Sequence, residues 1–233
     1  MSILVFQHDP GEDAAVLGSI LQSYGHELEI LHLDEGDPVP ADLDGVDGIV
    51  SLGGPMNIQD VTACPWLADQ MHCLKQASEL GRPVVGICLG AQVLCAALGG
   101  QVGPAEASEL GWHPVTLSFP GTIDPVYAGI RTTSIQFHLH GQEVKQLPDG
   151  ATPLAGSQRC RVQAFKVGMN AYGFQYHFEW TMEDLARAAC DPMVESAGLS
   201  CDQVLADSDR HYAGYRRLGD RLCHSLAMLV FPI

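Results

Sequence analysis

The chain has 233 residues, 46% of them hydrophobic, enough to bury one sizeable core, and a single domain is the expectation at that length. Its 28 acidic residues outnumber 12 basic ones, for a formal net charge of −16, and no run of Lys or Arg occurs. That balance argues against nucleic acid or an anionic membrane surface as partner; no apolar run approaches the roughly 20 residues of a membrane helix, and no signal-peptide pattern opens the chain, so a cytoplasmic protein is expected.

Residues 3–7 read as a strand, and 12–24 as a helix stopped by Gly25. A second strand is expected at 28–33, followed by the turn cluster Asp34-Glu35-Gly36-Asp37-Pro38. Asp47-Gly48-Ile49-Val50-Ser51-Leu52 reads as a buried strand running into Gly53-Gly54-Pro55. A helix at 66–80 ends at Gly81, and Pro83-Val84-Val85 opens another buried strand. Strands alternating with helices at these lengths predict an α/β fold with a parallel sheet. Ligands bind such sheets beyond the carboxyl ends of the strands, where Gly53-Gly54 and Cys88 both fall.

From about 111 to 178 short strands recur, at 112–119, 133–139, 151–156, 161–167 and 171–178, punctuated by Gly and Pro. They predict an antiparallel extension. Helical pattern returns through 181–197 and 202–230, with Thr181 as N-cap before Glu183 and Asp184. The expected organisation is a main unit over 1–185 and a helical extension over 186–233 packed on it. The tail is placed either as a cap on the core or as a homodimer face.

The chemistry concentrates at Gly86-Ile87-Cys88-Leu89-Gly90, between the buried strand and the helix Ala91–Leu98. Glycines flanking a nucleophile let strand and helix approach closely around a strained turn, as in the serine elbow. The Cys88 sulfur would sit at a helix N-terminus, whose partial positive charge favours an anion. In Gln175-Tyr176-His177-Phe178-Glu179, alternation predicts a strand that projects His177 and Glu179 to one side. Glu179 could then orient the imidazole while His177 takes the Cys88 proton. Gly53-Gly54 and the N–H of Leu89 would supply oxyanion donors.

These motifs, in this order, resemble the class I glutamine amidotransferases over roughly residues 3–180. The similarity is greatest to stand-alone members related to the amidotransferase part of GMP synthase, and extends to the plant γ-glutamyl peptidases. The resemblance implies a flavodoxin-like, mostly parallel sheet flanked by helices, and glutamine hydrolysis through a γ-glutamyl thioester. It makes Cys88 the nucleophile, His177 the base and Glu179 its partner. Gly54 and Leu89 would line the oxyanion hole; Gly53, Gln92 and Leu139-His140-Gly141 would lie near the bound glutamine. It implies no metal or organic cofactor, and a substrate that is glutamine or another γ-glutamyl compound, with ammonia passed to a partner synthetase. The alternatives are a stand-alone γ-glutamyl peptidase and a regulatory module that kept the fold without turnover. Phe178 stands where many members carry Pro after the histidine, and Gln142 where many carry Asp. The second departure bears on which substrate is read.

Other residues read as structural. The remaining cysteines (64, 73, 95, 160, 190, 201 and 223) show no C-x-x-C pair and are expected as thiols. His138-x-His140 could face one way on a strand, but no third metal ligand is evident nearby, and core or substrate-loop histidines are expected. His8, His26, His32, His72, His211 and His224 belong to no constellation. Glu109-Leu110-Gly111-Trp112 would pack beside the site, and Gly99-Gly100 reads as a helix stop.

Overall fold

Four short apolar segments build the centre of the molecule. In the computed structural model, which describes residues 1–232, β1 (Ser2–Gln7), β3 (Gly48–Ser51), β4 (Val84–Ile87) and β9 (Ala171–Phe174) are buried almost throughout. Strands covered on both faces are the mark of a parallel sheet between helical layers. With β2 (Glu27–His32) they form the parallel order β2-β1-β3-β4-β9. This is the flavodoxin-like α/β arrangement. β2 is the edge, where the outward Glu27 and Glu29 guard against pairing with another chain.

Helices cover both faces. Leu17 and Leu21 of α1 (Ala15–Ser23) and Leu222 and Leu226 of α7 (Cys201–Leu229) pack with Ile3, Val5, Val50 and Val85 on one side. On the other, Leu67 and Leu74 of α2 (Trp66–Glu79) and Val93 and Leu94 of α3 (Leu89–Ala97) pack on Leu4, Phe6, Ile49 and Val84. Gly25 and Gly81 sit just past α1 and α2 at φ 83° and 68°, stops of the kind expected from sequence. Gly99, at φ 92°, likewise follows α3.

Beyond β9 the sheet turns antiparallel through β8 (Ala164–Val167), β7 (Ala151–Gly156), β5 (Gln101–Leu117) and β6 (Thr133–Gln146), with a short α4 (Phe119–Ile123) after β5. The extension is as expected, but β5 and β6 are far longer than 112–119 and 133–139. Pro104 and Gly111 argue against a continuous strand; the sheet accommodates them with a register shift between Pro104 and Glu109 and with Gly111 at φ 80°.

The C-terminal part differs in two ways. The helix expected over 181–197 is two, α5 (Met182–Ala189) and α6 (Pro192–Ser196), because Pro192 cannot continue a helix but can start one. Asp191 caps the new start by accepting from the N–H of Met193 at 2.7 Å. Thr181 does cap α5, in a reciprocal box with Asp184. Second, Cys190 and Cys201 are joined in a disulfide rather than standing as thiols. The turn of α6 folds the chain back and brings their Cα atoms within 4.7 Å, inside the span a disulfide bridges. The tail is a cap: α7 lies along α1, α5, β5 and β6.

Candidate active site

Cys88 is the junction of β4 and α3, at φ 51° and ψ −110°. A non-glycine residue on that side of the map is strained and is held there by its surroundings. Its N–H donates to Phe174 O at 2.7 Å, and the N–H of Gly90 to Leu52 O at 2.9 Å. A Cβ on Gly86 would come 2.5 Å from Gly90 O, and one on Gly90 would collide with the Ser51 carbonyl. Both glycines of the elbow are therefore required by close backbone approach. The buried sulfur lies 3.8 Å from Leu139 O and 3.9 Å from Gln175 Nε2.

His177 and Glu179 come to the same end of the sheet from β9. They do not lie on a regular strand as expected, since β9 stops at Phe174 and His177 makes only an isolated bridge to Phe137 of β6. The consequence for direction is the same: His177 Nδ1 is 2.7 Å from Glu179 Oε1. Glu179 Oε2 accepts from the N–H of Phe178 at 2.8 Å, and the imidazole stacks on Trp180 with centroids 3.5 Å apart. Burial works against a charge on His177, but the Glu179 carboxylate and contact with Cys88 outweigh it and hold the imidazole well above the ordinary histidine range. Nε2 is buried and has no hydrogen-bond partner among the described residues. The group can thus hold a proton at Nε2 while Glu179 fixes the ring.

Across the sulfur is the turn after β3. His8, read as ordinary from sequence, controls it. Gln70 Nε2 donates to Ser51 Oγ and to His8 Nε2, each at 2.9 Å, so His8 Nδ1 carries the hydrogen and donates to Gly53 O at 2.9 Å. In a trans peptide the next N–H points opposite the carbonyl. Pinning Gly53 O therefore aims the Gly54 N–H away from His8. Gly54 packs against the Leu89 side chain, and Leu89, first residue of α3, has an N–H with no intrahelical acceptor.

A pocket of about 130 Å³ joins these parts, lined by Cys88, Leu89, Gln92, Gly54 and the Leu139–Gln142 segment. Gln92 Nε2 donates to Gln142 O and to Gln175 Oε1, both at 3.2 Å. Gln142 turns its own side chain outward to Gln59 Oε1, at 3.0 Å. Of the residues singled out from sequence, Gly54, Cys88, Leu89, Gln92, Leu139 and His140 share this pocket, with Gly53 and His177 beside it. His138 lies behind, in contact with Tyr176. Trp112 lies away from it, donating to Ser208 Oγ of α7 at 2.9 Å.

Glu12 is a site residue that the sequence reading missed. It belongs to the turn between β1 and α1 and lines the pocket. A Cβ on Gly53 would collide with Glu12 Oε2 and lie 3.0 Å from His177 Cε1, so carboxylate and imidazole flank one point. Burial raises Glu12 to about 7, with the His177 charge opposing. The only sequence signal is its place after a parallel strand. Glu109 lies against His140, behind the pocket wall. Burial pushes its carboxyl up, but hydrogen bonds from His140 and Ser157, with the neighbouring histidines, outweigh this and bring it to about 2. It supplies the third member missing beside His138 and His140.

This geometry has relatives. Residues 15–189 match the family model described as glutamine amidotransferase class-I. The chain is 32% identical over 179 residues to the glutamine amidotransferase-like protein YfeJ of Salmonella typhimurium, covering 76% of this chain and 74% of that one. It is 32% identical over 180 residues to the glutamine-hydrolysing subunit of GMP synthase from Natronomonas pharaonis, covering 77% and 89%. It is 27% identical over 166 residues to γ-glutamyl peptidase 3 of Arabidopsis thaliana, covering 69% and 66%. A glutamine amidotransferase structure from Methylobacillus flagellatus superposes with a TM-score of 0.85 at 25% identity, over 96% of this chain and 93% of that one. With a strained cysteine elbow, a Glu-held histidine and a match across three quarters of its length, the chain belongs to the glutamine amidotransferase class-I family.

Proposed function

We propose that the protein hydrolyses γ-glutamyl amides through a thioester on Cys88. The observation that carries this reading is the convergence, on one pocket, of the strained Cys88 and the Glu179-held His177. Cys88 Sγ attacks the γ-carbonyl carbon, and the oxyanion is met by the N–H groups of Gly54 and Leu89. His177 gives its proton to the departing amine as the C–N bond breaks. It then takes a proton from water, whose oxygen displaces the sulfur and releases glutamate. Gln92, Gly53 and the Leu139–Gly141 segment hold the amino-acid head. On this reading the catalytic unit is 1–185, with 186–233 packed on it. Its place is the cytoplasm, where Cys190 and Cys201 would be kept as thiols; blocking thiols at lysis and mapping them tests that placement.

The amine decides between two forms of this function. Likeness to a GMP synthase subunit supports release of ammonia to a synthetase partner. Likeness to a γ-glutamyl peptidase supports stand-alone hydrolysis, as does a second cavity of about 140 Å³ that adjoins the first across Glu12, Leu139 and Asp191. It offers room for a leaving amine larger than ammonia. Glutamate release from glutamine, γ-glutamyl peptides and glutathione conjugates should be measured for wild type and Cys88→Ala. Turnover lost by about 10⁴-fold or more in a folded Cys88→Ala is expected. Turnover that survives the substitution refutes the thioester reading. Glutamine as sole substrate selects the first form, and peptides or conjugates the second.

A further inference from the structure

A second group of chemistry-bearing side chains lies behind the pocket wall. β5 contributes Glu109, and β6 contributes His138 and His140, with Glu109 opposite His140 in the ladder. All three are buried, and one ligating atom from each lies within 4.8 Å of the others. Glu109 Oε2 is 3.4 Å from His140 Nε2 and 4.0 Å from His138 Nδ1.

The hydrogen bonds around this group leave it short of a cation. His140 Nδ1 is 3.0 Å from Gln142 O, which can only accept, so Nδ1 carries the hydrogen. In the neutral ring Nε2 then turns a lone pair toward the Glu109 carboxylate. Two acceptors face each other in a buried site, an arrangement that costs free energy unless a positive charge lies between them. His138 adds two ring nitrogens, both buried and both without a hydrogen-bond partner among the described residues. A proton on His140 Nε2 would answer Glu109 but leave His138 unsatisfied. One metal ion answers all three.

We propose that Glu109, His138 and His140 bind one divalent transition-metal ion of the zinc class. Two imidazoles and a carboxylate form a donor set suited to such ions. Bonds of about 2.1 Å in tetrahedral geometry set ligands about 3.4 Å apart, so small side-chain shifts close the site. The outer contacts also fit. His140 donates its other ring N–H to a backbone carbonyl, and Glu109 accepts from Ser157 Oγ at 2.6 Å and from Gln163. The ion would be structural: it ties β5 to the Leu139-His140-Gly141 wall, whose Leu139 O lies 3.8 Å from Cys88 Sγ.

Full-length protein stripped with a chelator and titrated with cobalt(II) chloride, followed by visible absorption and calorimetry, tests this. One equivalent of cobalt should bind and be displaced by zinc. His138→Ala and Glu109→Gln should each weaken binding about 10-fold or more, and Cys88→Ala should leave it unchanged. His138→Gln, which keeps the volume, replaces His138→Ala if circular dichroism shows that variant unfolded. No saturable binding by folded wild type overturns the proposal. So does binding that survives at His138 variants and is lost in Cys88→Ala, which would put the ion on the reacting sulfur. The readout is binding, so an inactive protein that takes up cobalt sinks the hydrolase reading and leaves this one standing.

Discussion

Glu12 shows what a single buried carboxylate does to pH dependence. Its folded value, about 7, lies above its ordinary 4.5. Between those values the native state holds the proton and the unfolded chain has lost it, so stability falls as pH rises through that window. Glu12→Gln should therefore melt higher than wild type near pH 8 and converge with it near pH 4.5, in thermal scans at both. An equal difference at the two pH values would assign the effect to packing. His8 acts on the Gly53-Gly54 peptide through one hydrogen bond. Loss of an oxyanion donor costs roughly 10²–10³ in rate. His8→Ala only loosens one, so kcat on the proposed substrates should fall about 10-fold with KM little changed. A rise in KM alone would show the bond serves binding instead. Cys88 and its flanking glycines could be read from the sequence because the elbow is local. Glu12 and His8 could not, because the groups they meet belong to distant segments of the chain.

Among the elements, α7 does more than cover the core. Tyr215 OH accepts from the N–H of Trp180 at 3.1 Å, and Arg216 donates to the carbonyl oxygens of Glu179 and Trp180. Gly219 packs against Phe178 O so closely that a Cβ would collide with it. The segment bearing His177 and Glu179 is thus held by a helix outside the 15–189 family match. Gly219→Ala should destabilise the protein by about 1–3 kcal/mol, the usual cost of overpacking, and lower turnover through displacement of Phe178. Chemical denaturation and turnover measured together check this. Full activity at reduced stability would confine α7 to a scaffolding role. The capped start of α5 and the glycine stops after α1 and α2 were readable in the chain, since caps are chemistry between neighbours. The lengths of β5 and β6 were not, since a bulge at Pro104 is tolerated only when a partner strand is already in place.

At the scale of the whole molecule, the parallel sheet brings the ends of β3, β4 and β9 together, and with them residues 53, 88 and 177. The net charge of −16 gives no footprint for a polyanion. Gel-shift titration with duplex DNA at low salt should give no complex, and a complex would require a basic patch the composition does not contain. No helix among the described residues is long and apolar enough to cross a membrane. The sequence by itself determined the alternation of buried strands and helices, and with it the sheet and the elbow at Cys88. Those depend on period, glycine and hydrophobic content within a few residues. Only the tertiary structure decided that His8 orients the Gly53 turn, that Glu12 faces His177, that Cys190 meets Cys201, and that Glu109 joins His138 and His140. Each of these is a contact between segments whose separation in the chain carries no trace of their distance in space.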